Sequence, residues 1–162
     1  MNKYETVLLG IEAASKTLNI TPPEVYFASG SDFPNLEISS IYRHKDNEII
    51  VNEDWINRSS ELEIIITALH ETRHAYQKYC IDTKSKEDIK TIKTWEKEFN
   101  QYYQPSGKNT PRDDISYLRQ SIEIDAIAFA YHQMKKLYDI EVKIPEEIKK
   151  EIEKYIVSNK WS

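Results

Sequence analysis

The sequence of 162 residues contains only three glycines and a single cysteine, Cys80. One cysteine excludes an internal disulfide framework and favours a reducing compartment. No aliphatic run is longer than three residues, as in Ile64-Ile65-Ile66, so no segment is predicted to span a membrane and we expect no membrane partner. The first residues, Met-Asn-Lys-Tyr-Glu, do not form the apolar stretch of a signal peptide, and we therefore expect a cytoplasmic location.

The chain also lacks an excess of basic residues. It has 22 Lys and Arg against 27 Asp and Glu, a net charge of −5 and a pI near 5.5. No positive field is available for phosphate backbones, so nucleic acid is not an expected partner. The hydrophobic fraction of 40% and the length are typical of one soluble globular domain, which we assign to residues 1–162.

The spacing of apolar residues predicts an α+β fold that is mostly helical, with a small sheet early in the chain. The predicted helices cover residues 3–18, 60–79, 85–103 and 110–137, and a last one opens at Pro145. The predicted strands cover residues 25–27, 36–43 and 48–52, and the last two form a hairpin. Residues 104–107 break the helical pattern, and Thr110 is expected to cap the helix that follows.

The helix that begins after Ser60 contains the motif His70-Glu71-Thr72-Arg73-His74. Ser60 and Glu63 form a capping box at its start. At 3.6 residues per turn, His70 and His74 lie one above the other on one face, where two imidazoles can hold one zinc ion. Glu71 borders that face and is placed to act as a general base for an attacking water. The alternative is that the two histidines are satisfied by hydrogen bonds in the core or lie at the surface.

A third ligand is expected from another helix, and Glu123 is the preferred candidate. Its neighbours on the same helical face include Ala126 and Ala130, which are small enough to let this helix approach the histidine helix. Asp125 is the alternative third ligand, but it points about 160° away from Glu123 on a regular helix, so both cannot bind one ion. With Glu123 as the ligand, Asp125 becomes a carboxylate that orients other groups, with Arg73 or Arg119 as its partner.

The motif together with Glu123-x-Asp125-Ala126-x-x-Phe129-Ala130 resembles the gluzincin zinc peptidases, and more closely the ImmA/IrrE-type small cytoplasmic metallopeptidases. The resemblance implies a zincin-like domain with residues 36–135 as its catalytic core and a hairpin packed beside the active-site helix. It implies a zinc cofactor held by His70, His74 and Glu123, with Glu71 as the catalytic residue. It also implies that the edge strand within residues 36–52 binds an extended substrate by backbone pairing.

Two features depart from that family. Arg73 stands inside the motif, where it either pairs with a carboxylate or changes the electrostatics of the site. Residues 81–112 form a long insertion between the two ligand helices, and this insertion is a candidate cover or docking surface.

Several other side chains are weaker candidates for roles at the site. Peptide hydrolysis needs hydrogen-bond donors for the oxyanion that develops on the substrate carbonyl. The candidates are His44, Arg73, Tyr117 and Tyr131. Gln77 either shapes the pocket or is solvated. His132 and Cys80 point away from the predicted ligands, and the three tryptophans Trp55, Trp95 and Trp161 are interpreted as packing residues.

The sequence therefore leads to three hypotheses. The preferred one is a zinc-dependent peptidase that hydrolyses an unidentified protein or peptide, with a regulatory protein as a candidate substrate. The second is a catalytically silent, metal-stabilised protein-binding module, although the presence of Glu71 argues against it. The third is a zinc-free helical interaction protein with a fortuitous motif.

Overall fold

The computed structural model describes residues 1–102, 114–159 and 161 of the chain. This part is mostly helical with one small sheet, which confirms the predicted α+β class. The helices in the described residues are α1 (Lys3–Leu18), α2 (Glu53–Arg58), α3 (Glu61–Thr83), α4 (Ile89–Asn100), α5 (Ile115–Leu118), α6 (Ser121–Tyr138) and α7 (Glu146–Ser158). The strands are β1 (Glu24–Ala28), β2 (Ser40–Arg43) and β3 (Glu48–Asn52). None of the helices in the described ranges is long and apolar enough to cross a membrane.

The three strands form a sheet in the order β1-β3-β2. β2 and β3 are the predicted antiparallel hairpin, with Ile41 opposite Ile50. β1 pairs in parallel with the other edge of β3, which places Tyr26 beside Ile50. β2 is consequently an edge strand of this sheet.

Helix α3 lies at the centre of the fold and packs against α1, α4, α6 and β2. Its start is the predicted capping box, in which Ser60 and Glu63 each bond the backbone N–H of the other. α1 approaches closely at Gly10, where an added Cβ would lie 2.8 Å from Cβ of Ala68. A glycine is therefore required at this contact, because any side chain would push α1 away from α3.

The core on the opposite side of α3 is built from α4 and α6. Trp95 and Phe99 of α4 pack in one cluster with Phe129 and Met134 of α6. α7 covers the outer side of α6 with Ile148 and Ile152, which are both fully buried. The described part of the insertion over residues 81–112 thus contributes to the core through α4.

The prediction of one continuous helix over residues 110–137 was wrong in its described part. α5 ends at Leu118 and α6 begins at Ser121. The side chain of Glu98, on α4, accepts hydrogen bonds from the backbone N–H groups of Ser121 and Ile122 and from the Ser121 hydroxyl. A carboxylate at this point satisfies the first amides of α6 and favours a new helix start. The predicted break at residues 104–107 and the start at Thr110 lie outside the described residues.

The predicted strand over residues 36–43 is also shorter than expected, because β2 begins at Ser40. Arg58 holds the preceding segment away from the sheet by pairing with Glu37 and donating to the carbonyl of Leu36. Asn52 bonds the carbonyl of Ile38 and at the same time caps α2, a short helix that the sequence pattern did not predict.

Candidate metal centre

Two helices bring the three predicted ligands together. His70 and His74 lie in the middle of α3 at the predicted one-turn spacing, and Glu123 lies in the first turn of α6. α3 and α6 pack against each other, and Ala126 and Ala130 of α6 are buried in this region. One donor atom from each of the three ligands lies within 4.8 Å of the others.

The donor atoms of the three side chains lie close together. The Nε2 atoms of His70 and His74 are 3.1 Å apart. The carboxylate of Glu123 lies 3.2 Å from each of them, through Oε2 to His70 and Oε1 to His74. Tetrahedral zinc with bonds of about 2.05 Å has ligand atoms separated by about 3.3 Å. The three side chains are thus already close to the distances that zinc coordination requires.

The electrostatics of Glu123 and His74 indicate a strongly coupled pair. Burial of Glu123 would raise the pKa of its carboxyl, but the charges of His74 and His70 hold that pKa well below its usual range. Burial likewise lowers the pKa of His74, but Glu123, Glu71 and Gln77 outweigh it and raise that pKa to about 9. Oε2 of Glu123 is buried, and its contact with Nε2 of His70 at 3.2 Å does not have the geometry of a hydrogen bond. A buried carboxylate oxygen that lies beside an imidazole nitrogen without a hydrogen bond has the chemistry of a metal ligand.

Glu71 lies beside this group on α3 and is buried. The hydroxyl of Ser40, on β2, donates a hydrogen bond of 2.6 Å to Oε1 of Glu71. Glu71 also lines the same cleft as His70, His74 and Glu123. A carboxylate held next to the predicted ligands and open to a cleft is suited to proton transfer.

Asp125 is directed away from the three ligands, as the helical geometry predicted. Its carboxylate accepts two hydrogen bonds from Arg73, at 2.7 and 2.9 Å. Of the two partners that the sequence allowed, Arg73 is the one found, whereas Arg119 pairs with Glu151 at the surface. Arg73 is therefore committed to Asp125, and its candidacy as an oxyanion donor was wrong.

The three ligands and Glu71 open into a cleft of about 790 Å³ between the sheet and α6. β2 forms one wall through residues 39–42, and residues 142–145 contribute to the cleft as well. Most of the remaining lining is apolar or aromatic, namely Ile38, Trp55, Ile66, Phe99, Tyr102, Tyr117, Leu118, Ile127, Ala130 and Tyr131. Three of the predicted oxyanion donors, His44, Tyr117 and Tyr131, lie in this lining.

Tyr102 is a site residue that the sequence analysis missed. Its hydroxyl donates a hydrogen bond of 2.5 Å to Oε1 of Glu123, and its ring contacts Tyr117 edge to face. Burial, with the nearby charge of Glu123, raises the pKa of both tyrosines well above its usual value. In the sequence, Tyr102 is one of the apolar residues on a face of the helix predicted over residues 85–103. Nothing in that pattern shows that its hydroxyl contacts a predicted metal ligand.

Other candidates lie apart from the centre. Cys80 is fully buried in the core, and Trp95 packs there too. The ring of His132 packs against Trp161. Gln77, in contrast, contacts Nδ1 of His74 at 2.9 Å and is fully buried, so the alternative that it is solvated was wrong.

Comparison of the chain with protein-family models, with curated proteins and with solved structures finds no match.

Proposed function

We propose that this protein is a zinc-dependent peptidase, in which His70, His74 and Glu123 hold the metal and Glu71 is the general base. The observation that carries the proposal is the proximity of the three side chains: the two imidazole Nε2 atoms are 3.1 Å apart, and each lies 3.2 Å from one oxygen of the Glu123 carboxylate. Zinc bound there would polarise the scissile carbonyl and make a water molecule more acidic. The resemblance of the motif to the ImmA/IrrE-type metallopeptidases, with their zincin-like fold, agrees with this assignment.

Glu71 has the central proton-transfer role in the proposed reaction. Its carboxylate takes a proton from the attacking water while the water oxygen bonds to the carbonyl carbon of the substrate. It passes this proton to the leaving amine as the C–N bond breaks. Ser40 orients the carboxylate through its hydrogen bond to Oε1. The resulting products are one carboxylate and one amine.

The free edge of β2 supports a peptide as the substrate. The N–H of Asn52, on β3, donates to the carbonyl of Ser39, the residue before β2. In an antiparallel pair the backbone groups of every second residue face the neighbouring strand, so every second residue after Ser39 bonds β3. The backbone groups of Ser40 and Tyr42 therefore point away from β3, towards the open edge. An extended peptide segment can pair with them and lie alongside the predicted metal ligands.

The apolar walls of the cleft support an unfolded or extended segment of a protein as the substrate class, because such a segment exposes side chains that are buried in a folded domain. By the resemblance, a regulatory protein is the natural candidate. The single cysteine is a free thiol buried in the core, and we include a reducing, cytoplasmic setting in the proposal.

The proposal is tested by comparing the wild type with Glu71→Gln on a panel of unfolded protein substrates, with the zinc content of both proteins measured. We expect Glu71→Gln to bind the same amount of zinc and to lose about 100-fold or more in kcat, as removal of a general base does. Glu61→Gln, an exposed change on the same helix, is the matched control and should keep full activity. Equal cleavage by the wild type and Glu71→Gln would contradict the mechanism. Zinc binding without cleavage by either would favour the metal-stabilised binding module.

A further inference from the structure

Gln77 follows His74 by three residues on α3 and is completely buried, at 0% exposure. A buried amide is tolerated only when its donors and acceptor are bonded. Nε2 of Gln77 donates to the carbonyl of Ile122 at 2.9 Å and to Oδ2 of Asp125 at 2.7 Å. Its Oε1 lies 2.9 Å from Nδ1 of His74. The three partners differ in hydrogen-bonding character, so they determine which way round the amide lies.

The orientation of the Gln77 amide is dictated by its surroundings. A carbonyl oxygen and a carboxylate can only accept, so the amide nitrogen must face Ile122 and Asp125. The amide oxygen must then face His74. Asp125 is itself fixed by the two bonds from Arg73 and by a bond of 2.6 Å from the hydroxyl of Tyr155, on α7. The glutamine cannot flip without leaving Asp125 short of a donor.

We propose that Gln77 is a positioning residue that selects the metal-binding form of His74, an inference that rests on the proposed metal site. Because Oε1 can only accept, the hydrogen of the neutral imidazole lies on Nδ1 of His74, so Nε2 is the atom that presents a lone pair once the ring is deprotonated for metal binding. That Nε2 atom is the one that lies 3.1 Å from Nε2 of His70 and 3.2 Å from Glu123. Arg73, Asp125 and Tyr155 hold Gln77, and through it they hold the imidazole ring of His74.

The network gives two otherwise unexplained residues a common purpose. Arg73 is one of the two departures from the family, and Asp125 is a buried acid whose hydrogen bonds go to Arg73, Gln77 and Tyr155 and to none of the predicted ligands. Together, Arg73 and Asp125 hold the amide of Gln77 so that its oxygen faces His74. Tyr155 extends the same network to α7, so the C-terminal helix also supports the site.

The inference is tested on the full chain with three variants. Gln77→Met has a similar volume but no acceptor, Gln77→Glu keeps an acceptor for Nδ1–H, and Gln133→Met is a matched change of a buried glutamine on α6. The zinc Kd of each is measured by competition with a chromophoric chelator. The hydrogen on Nδ1 of His74 is observed by NMR in the zinc-loaded, 15N-labelled protein.

We expect Gln77→Met to weaken zinc binding by about 10- to 100-fold, the usual effect of losing a partner of a metal ligand. The Nδ1–H resonance of His74 should be protected from exchange in the wild type and in Gln77→Glu, and lost in Gln77→Met. Gln133→Met should bind zinc as the wild type does.

Each of the other outcomes overturns the inference. If Gln77→Met binds zinc as tightly as the wild type, then the acceptor has no positioning role although the proposed function stands. The absence of a protected hydrogen on Nδ1 of His74 in the zinc-loaded wild type would also show that Gln77 has no positioning role. This measurement needs only the wild type, so it does not depend on whether a variant folds. A wild type that binds no stoichiometric zinc overturns the inference and the proposed function together.

Discussion

The hydroxyl of Ser40 donates a hydrogen bond of 2.6 Å to Oε1 of Glu71. This bond joins the edge strand of the sheet to the helix that carries both histidines. Both side chains are buried, so water competes little for either group. This hydrogen bond therefore fixes the position of the proposed general base relative to the strand that is proposed to bind the substrate backbone.

Replacement of Ser40 by alanine tests this relationship. In Ser40→Ala the backbone of β2 remains available to the substrate, but the carboxylate of Glu71 loses the group that orients it. We expect kcat to fall about tenfold with little change in KM or zinc content, because only the positioning of the base is affected. Ser15→Ala, a change of a buried serine on α1, is the control and should have wild-type kcat. An unchanged kcat in Ser40→Ala would show that the bond does not matter for catalysis.

The buried pair of Arg73 and Asp125 should contribute strongly to folding. Asp125→Ala leaves the guanidinium of Arg73 buried without its partner, and we expect the free energy of unfolding to fall by about 3 to 5 kcal/mol. Chemical denaturation of the metal-free protein measures this value. The double variant Arg73→Met, Asp125→Leu removes both charges and should recover part of the loss.

An exposed ion pair provides the comparison for this stability prediction. Glu12 and Lys16 form a solvated pair on α1, and Glu12→Ala should leave the free energy of unfolding nearly unchanged. A similar loss in Glu12→Ala and Asp125→Ala would contradict the importance given to burial.

Zinc binding should depend on pH through His74. The pKa of His74 is raised to about 9 in the metal-free protein, so this side chain carries a proton at pH 7. Zinc needs the neutral imidazole, and binding at pH 7 should release about one proton per ion from His74. The affinity should accordingly rise by about tenfold per pH unit up to about pH 9. Titration calorimetry in buffers of different ionisation enthalpy measures the number of protons released.

The same raised pKa has an opposite effect on the stability of the metal-free protein. The charge pair of His74 and Glu123 stabilises the fold fully below the unfolded pKa of about 6.5, and this stabilisation is lost as the pH rises through about 9. In Glu123→Gln the negative partner is absent, so burial dominates and lowers the pKa of His74. An unchanged pKa of His74 in metal-free Glu123→Gln, followed by NMR titration, would contradict the proposed coupling.

Features with a local physical cause were predictable from the sequence. The capping box of Ser60 and Glu63 is complete within four residues, and it fixed the start of α3 correctly. The spacing of His70 and His74 follows from the helical repeat alone. The opposite directions of Glu123 and Asp125 follow from the same repeat, and they allowed Asp125 to be assigned to an arginine.

Features that depend on distant contacts were not predictable. The start of α6 depends on the carboxylate of Glu98, which belongs to another helix. The parallel pairing of β1 with β3 joins segments that are far apart in the sequence. The roles of Gln77 and Tyr102 arise from hydrogen bonds to partners on α6, and no pattern in the sequence around either residue reveals such partners.

The central claim is that His70, His74 and Glu123 bind one zinc ion. Anomalous diffraction at the zinc edge, from crystals of protein reconstituted with stoichiometric zinc, tests it most directly. We predict one ion per chain, bonded at about 2.0 to 2.2 Å to Nε2 of both histidines and to the carboxylate of Glu123. Crystals without zinc at these residues after reconstitution, or with the ion bound at Asp125, would contradict the account.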